Sequence, residues 1–531
     1  MKSVMQHSFA EVTSAKVPRS TFNRSHGYKT TFDADYLIPV FVDEVIPGDT
    51  FNLKMTHFAR LATLLNVPMD NMFLDSFFFY CPTRLVWNNF KKFHGEEDDP
   101  GDSNDFQIPT MDAPTGGHLN GSLSDYLGIP TEHHASNTLT HSSILHRIYN
   151  FIWNEHFRDQ NLQTKVVVDL DDGPDTTTDY SLLKRGKRHD YFTSCLPWPQ
   201  KADDGAVSLP LGTQAPVTGI GKVTQNFTTG PTSTVYEGGG NSTTYADYTY
   251  IDFAAGNDAK YVVEEDTANS GYPAIYADLS NATAATIDDL ILSFQTQALY
   301  RRDARAGTRY PELVLSHYGV KPYDLLYRPL YLGGGSSRIN VHPVANTSED
   351  ASNKQGKLTA YGTVSGSGHG FVQSFAEHGY IMGLVSVRAD LTYQEGLDRM
   401  FSKQDRFDFY YPALANLGEQ SVLNKEIFAD GSAADETVFG YQERWAEYRF
   451  KPSKITGQFR SNYTTSLDSW HLSQEFGTLP SLNATFIQSN TPVDRIIATA
   501  SEPHIIFDAY FNLICARPMP VFSVPSLKQY F

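Results

Sequence analysis

Tyr36-Leu-Ile-Pro-Val-Phe-Val-Asp-Glu-Val45, then Pro47-Gly48-Asp49, then Thr50-Phe-Asn-Leu-Lys-Met-Thr-His57 is the stretch on which the fold turns. Both flanking runs read as strands, and the Pro-Gly-Asp between them is a turn signal. Just downstream, Asn71–Cys81 holds Phe77-Phe78-Phe79-Tyr80, a short run suited to a strand covered on both faces. Trp87–Phe93 reads as a short helix and residues 95–117 as a polar loop.

Working outward, Ser143–Gln160 carries Leu145, Ile148, Tyr149, Ile152 and His156 at helical spacing. Val166–Val168 reads as a strand. A second helix is expected after Thr286, which can cap it with Asp289 three residues on; Ile287, Leu290, Ile291, Phe294 and Ala298 line one face. Beyond Leu313, strand-like runs recur at Tyr380–Val387, Arg406–Tyr411, Tyr448–Phe450 and Arg495–Ala498, separated by Gly, Pro, Asn and Asp. No fixed-period repeat is visible. Strands near both ends, with helices lodged in the connections, predict a mainly β protein: one antiparallel β-sandwich of jelly-roll type with large loop and helix insertions.

Charge divides the chain. Residues 1–32 hold Lys2, Lys16, Arg19, Arg24 and Lys29 against Glu11 alone, whereas 201–290 hold three lysines against twelve acids. Half of the net charge of −18 thus sits in one segment without an arginine. The expected organisation is a basic arm over 1–30, a first part of the sandwich over 31–200, an acidic insertion over 201–285 and the remainder over 286–531. Within the insertion, Tyr245–Phe253 and Lys260–Val263 read as partly β. The start lacks the apolar block of a secretory signal, and no apolar run is long enough to span a membrane. Cys81, Cys195 and Cys515 lie far apart without CxxC spacing, which fits reduced thiols better than a disulfide framework or zinc site.

Signatures of catalysis are not found: there is no phosphate-cradling G-x-x-x-x-G-K-[ST] and no G-x-S-x-G elbow. Gly366-Ser-Gly-His-Gly370 reads as a flexible loop. Asp169-Leu-Asp-Asp-Gly-Pro-Asp175 has the carboxylates that Ca²⁺ wants but breaks the EF-hand pattern, so a solvated acidic turn is expected, as it is for Glu96–Asp99. His133, His134 and His141 lack further ligands at zinc spacing. No catalytic, cofactor or metal site is therefore assigned. Nucleic-acid contact is the remaining chemistry, because arginines neutralise phosphates and aromatics stack on unpaired bases. Its candidates are Arg19, Arg24 and Lys29 in the arm, and Arg444, Arg449 and Lys451 in Tyr441–Lys454. Half-buried strands with paired arginines are the competing reading of the second group.

Four long, irregular strings carry a family resemblance: Pro18–Phe32 continuing into Val42-Asp-Glu-Val-Ile-Pro-Gly-Asp-Thr-Phe51; Asp75-Ser-Phe-Phe-Phe-Tyr-Cys-Pro-Thr-Arg-Leu-Val-Trp87; Lys187-Arg-His-Asp-Tyr-Phe-Thr-Ser-Cys-Leu-Pro-Trp-Pro-Gln-Lys201; and Tyr441-Gln-Glu-Arg-Trp-Ala-Glu-Tyr-Arg-Phe-Lys-Pro-Ser-Lys-Ile-Thr-Gly457. They resemble the major capsid protein family, F-type or VP1, of the Microviridae, in its gokushovirus branch. The resemblance runs from about Val17 to the C-terminus and leaves 201–285 unmatched. It implies an eight-stranded jelly roll whose copies close a T=1 icosahedral shell around circular single-stranded DNA. It also implies assembly in the host cytoplasm, a scaffolding protein, a small basic DNA-binding protein, and a variable insertion clustered at each threefold axis, a candidate for host-receptor contact. The alternatives are a secreted jelly-roll carbohydrate-binding protein or hydrolase, which predicts a signal peptide and paired carboxylates, and a receptor-binding phage protein with a separable tip.

Overall fold

A computed structural model describes residues 18–132, 138–201, 217–218, 220–222, 235–237, 276–277, 287–321, 323, 327–349 and 355–522. The chain divides into two compact units, 1–199 with 306–531, and 200–305. The first is built on antiparallel strands. Those of its two main sheets are, in chain order, β1 (Ser20–Asn23), β2 (His26–Phe32), β3 (Ile38–Val45), β4 (Thr50–Leu61), β5 (Met72–Pro82), β6 (Leu330–Arg338), β7 (Asn340–Ala345), β8 (Leu358–Ser374), β9 (Gly379–Ala389) and β10 (Ile505–Arg517). One sheet runs β1-β10-β4-β8-β7, with β2 also paired to β10; the other runs β6-β5-β9-β3.

The sequence explains the layers. Along β4 every second residue, Phe51 to Leu61, is buried and every intervening one is not. Along β10, Ile505, Phe507, Ala509, Phe511, Leu513 and Cys515 are buried in the same rhythm. Period-two burial turns one sheet face inward and leaves the other bare. The inward faces of both sheets meet in one core, where Phe41 packs 5.1 Å from Phe511 and Phe78 lies 5.7 Å from Phe371 between ring centroids. The four-stranded sheet is also covered on its far side. Phe79, Cys81, Met382 and Leu384 pack there with Ile148, Tyr149 and Ile152 of helix α1 (Ile144–Ile152). The Phe77–Tyr80 run is thus buried from both sides, as its composition predicts.

Several expectations change. Gly366–Gly370 is not a loop but the middle of β8, paired to Met55–His57 and Lys54 of β4 around a bulge at Ser367–His369. A Cβ on Gly370 would sit 2.0 Å from the Leu53 carbonyl oxygen, and one on Gly366 2.5 Å from the His57 ring. The glycines allow close approach of chains inside a sheet rather than flexibility. β10 escaped the sequence reading altogether. Arg406–Tyr411 and Tyr448–Phe450 are not strands: 3₁₀ turns occupy Arg406–Asp408 and Ala446–Tyr448. Arg495–Ala498 follows another at Val493–Arg495 and contributes one isolated bridge, Ile497 to Leu64. Val166–Val168 joins no ladder; Asn150 and Asn154 of the preceding helical segment bind its backbone instead, with Asn154 Nδ2 donating to the Val166 carbonyl at 2.9 Å.

The Asp169–Asp175 run is not a simple solvated turn either. Asp175 is buried and takes Arg147 Nε at 2.7 Å, while a second guanidinium nitrogen bonds its other oxygen. Tyr180 donates to it at 2.8 Å, and Trp87 Nε1 donates to Asp172 at 2.6 Å. All three cysteines are free and buried.

In the second unit, helix α2 (Ile287–Ala306) forms where expected, but Ile291 and Phe294 of its apolar stripe are exposed. Short antiparallel pairs join Ile220–Lys222 to Val235–Glu237 and Val217–Thr218 to Tyr276–Ala277. Tyr245–Phe253, Lys260–Val263, Thr286, and His133 with His134 lie outside the described residues. No described helix is long and apolar enough to cross a membrane.

Candidate nucleic-acid interface and assembly surface

Cross-strand pairing gathers distant residues onto the bare face of the six-stranded sheet. Residues directly opposite in adjacent strands share a face. One row is Lys29, Asp508, Phe58 and Ser365; the next toward one end is Thr31, Ile506, Arg60 and Thr363; toward the other come Tyr510 with Thr56, then Asn512 with Lys54. At the far end Arg19 donates to Thr50 Oγ1 at 3.0 Å, and Thr50 lies 2.9 Å from Ser374. This face therefore carries Arg19, Lys29, Lys54 and Arg60 against Asp508. Lys29 and Asp508 pair at 3.1 Å, both well exposed, an ion pair that water screens heavily. Lys54 and Arg60 have no ion-pair partner among the described residues. Between the cations stand Phe58, Ile506, Tyr510 and Ile514, all exposed, Phe58 by 51%.

The arm residues do not stay together. Arg24 turns away and binds Asp43 Oδ2 at 2.5 Å. Burial pulls its guanidinium down, but the hydrogen bond and charge of Asp43 outweigh that and raise it. The segment read as an arm is, from Ser20 to Phe32, hydrogen-bonded along β10. The sequence reading missed Lys54, Arg60, Phe58 and Tyr510. The signal available was the alternation of β4 and β10, which assigns these residues to the solvent side.

The second candidate group sits elsewhere, in a patch rich in exposed aromatics: Phe401, Phe407, Phe409, Tyr410, Tyr448 and Phe450. Here the cations are spoken for. Arg449 pairs with Glu443, and both Lys451, at 3.4 Å, and Lys454, at 2.9 Å, bind Asp398. Arg444 donates to the Phe407 carbonyl at 3.1 Å and stacks over Trp445 at 4.4 Å. Lys403 lies over the rings of Phe409 and Tyr448. Aromatics with internally balanced charge are the composition of a protein–protein contact, whereas a phosphate-binding face needs unpaired cations.

No group of three or more His, Cys, Asp or Glu side chains among the described residues is placed to hold a metal ion. His141 meets His118 instead, Nε2 to Nε2 at 2.9 Å.

A sandwich with one bare, cation-bearing sheet face and a large aromatic patch belongs to the class of structural subunits that act through their surfaces. The chain belongs to the phage family described as "Capsid protein (F protein)", which it matches over residues 10–527. It is 46% identical over 533 residues to "Capsid protein VP1" of Bdellovibrio phage phiMH2K, covering 98% of each chain. It is 41% identical to "Capsid protein VP1" of Chlamydia phage 1, over 100% of this chain and 99% of the relative. With "Capsid protein VP1" of Spiroplasma virus 4 the identity is 36%, over 98% of both. Its role is that of a major capsid structural protein.

Proposed function

We propose that this protein closes a T=1 icosahedral shell around a circular single-stranded DNA genome, acting by self-assembly and not by catalysis. The observation that carries the reading is end-to-end likeness to capsid proteins in a chain folded as a two-sheet sandwich. Within the sheets, the orders β2-β10-β4-β8 and β3-β9-β5-β6 support an eight-strand jelly roll, with β1 and β7 as additions. The destination is the virion, after assembly in the host cytoplasm with a scaffolding protein and a small basic DNA-binding protein.

The bare sheet face is the DNA-facing side in this reading. Lys54 and Arg60 there have no ion-pair partner among the described residues, in a chain of net charge −18, and Phe58 and Tyr510 offer stacking surfaces to unpaired bases. The aromatic patch around Phe407 and Tyr448 is a contact between copies, and Arg444, Arg449 and Lys451 act there through their pairs. The 201–285 segment is the threefold surface insertion and the candidate receptor contact; its acidity suits an outer surface.

Expression of the full chain with its natural assembly partners, followed by electron microscopy, tests the reading. Closed particles of uniform diameter are expected. A persistent monomer under those conditions overturns it. In assembled particles, replacing Arg19 and Lys29 by Ala should lower packaged DNA more than particle yield; unchanged DNA per particle removes those two residues from the DNA-facing role.

A further inference from the structure

A cleft of about 860 Å³ opens between Lys184–Lys187 and the Gln474–Arg495 segment. Its walls include Lys184, Lys187, Arg495, Phe476, Phe486 and Gln488. Lys187 is unusual. It is only 8% exposed, yet its ammonium has no hydrogen-bond or ion-pair partner among the described residues. The amine lies 4.1 Å from the Phe486 ring centroid and 6.0 Å from that of Phe476.

The charges around it do not neutralise it. Asp35 and Asp190 are the acids that act on it, and neither comes within ion-pair distance. Both are committed elsewhere. Asp35 accepts from Ser489 Oγ at 2.6 Å and from the Thr491 amide at 2.5 Å; Asp190 accepts from the amides of Phe192 and Thr193 at 3.0 and 2.7 Å. Glu475 also lines the cleft. On the cationic side, Lys184 donates to Asn490 Oδ1 at 3.0 Å. Arg495 donates through Nη2 to the carbonyls of Ser473 and His471 at 2.7 and 3.1 Å, leaving Nε buried without a partner. Burial lowers the Lys187 amine to about 8, the more distant acids opposing, so at neutral pH it still carries its proton. A buried ammonium is costly unless it is paired. Cation–π contact with two rings offsets part of that cost. An anion held between Lys187, Lys184 and Arg495 would offset more, and the cleft has room for one with an attached organic group.

We propose that this cleft is a phosphate-binding site with Lys187 as its anchoring cation and Lys184 and Arg495 as flanking charges. The phosphate comes either from a phosphodiester of the packaged strand or from a free phosphate or mononucleotide. The first source rests on the capsid reading; the site itself does not.

The test uses full-length protein at pH 7, labelled with trace acetic anhydride and read lysine by lysine by mass spectrometry, with the exposed Lys165, which lies outside both the cleft and the bare sheet face, as the internal reference. The probes are inorganic phosphate, thymidine 5′-monophosphate and a hexathymidylate. Binding should protect Lys187 at least threefold relative to Lys165. Protection by the hexamer but not by phosphate or the mononucleotide assigns the strand as the source; protection by the small probes assigns a free phosphate. Calorimetric binding of the protecting probe should weaken at least threefold in Lys187→Met and persist in Lys187→Arg. Lys187 reactivity unmoved by any probe up to 10 mM overturns the proposal, and so does undiminished calorimetric binding by a folded Lys187→Met protein. Should Lys187→Met fail to fold, the labelling of the unmodified chain still decides. Failure to form closed particles is a separate readout and leaves this result standing.

Discussion

Acidifying the full-length chain from pH 8 to pH 5 before assembly should remove about 4 kcal/mol of folding stability through two histidines buried as neutral rings. His57 is 2% exposed, packs 4.9 Å from His369 and 6.3 Å from Phe507, and neither ring nitrogen has a hydrogen-bond partner among the described residues. Burial first, and the neighbouring His369 second, lower it to about 4. His146 shares a 2.9 Å hydrogen bond with Ser124 Oγ; burial first, then His141 and His118, lower it to about 3 despite the opposing pull of Asp175. In the unfolded chain both titrate near about 6.5. Between the folded and unfolded values the unfolded chain binds the proton and the native chain does not. Stability is therefore full above about pH 6.5, falls as the pH drops through that value, and stops falling only below the folded values. At pH 5 each ring costs about 2 kcal/mol, together a large share of the roughly 5–15 kcal/mol that holds a domain folded. Urea unfolding at the two pH values, in native chain and in His57→Leu, isolates His57 with its neighbour His369, because titrating groups away from that pair cancel in the double difference. The native chain should lose about 2 kcal/mol more than the variant between pH 8 and pH 5. Equal losses would refute the claim that His57 is held neutral by burial.

Other expectations follow from the same packing. Arg147→Met strands the buried Asp175 carboxylate and should cost about 3–5 kcal/mol, read as a drop in thermal midpoint; a change under about 1 kcal/mol would mean that the pair contributes little beyond its own desolvation. Gly370→Val drives a side chain into the Leu53 carbonyl and should abolish soluble expression, whereas Gly477→Ala, with open space around it and no left-handed backbone, should not. Phe401→Asp with Phe407→Asp should abolish particles while moving the chain's unfolding free energy by no more than about 0.5 kcal/mol, since both rings are already exposed. Lys54→Ala with Arg60→Ala should weaken binding of single-stranded DNA and flatten its salt dependence by about 1.4 in log–log slope, from two lost phosphate contacts.

The parts of the fold written locally were legible; the parts written by pairing were not. Phe77–Tyr80 announced its burial because four successive large apolar residues have no solvent side. Gly366–Gly370 misled because its glycines answer to the Leu53 carbonyl and the His57 ring, more than 300 residues away. Arg406–Tyr411 and Tyr448–Phe450 alternate aromatic with charge like half-buried strands, but their rings cover one another and stay exposed, and no partner strand arrives. The candidate site divides the same way. Lys29 was found because the N-terminal cations cluster in sequence. Lys54 and Arg60 were not, since each is a single charge in an apolar strand and joins the others only when β10 brings β2 and β4 side by side.

That geometry also explains why one sheet and not the other keeps a face free for contact. The four-stranded sheet is sealed twice, by the sandwich core and by the layer that includes α1, and its central strands β5 and β9 are buried along nearly their whole length. The six-stranded sheet is sealed once, and its strands alternate. An alternating strand that merely faced water would carry small polar residues and paired charges on its outer side. Here the outer side carries Phe58, Ile506, Tyr510 and Ile514, which lose by contact with water, and Lys54 and Arg60, which have no partner acid among the described residues. Both defects are removed by one ligand that is polyanionic along its backbone and flat and apolar at its bases. A neighbouring copy of this acidic chain would cover the aromatics and could meet the cations with carboxylates, but it would need an acidic strip matched to a face about 20 Å long from Lys54 to Arg60. The two occupants separate by salt: contact with DNA weakens steeply as ionic strength rises, while an apolar contact between copies holds.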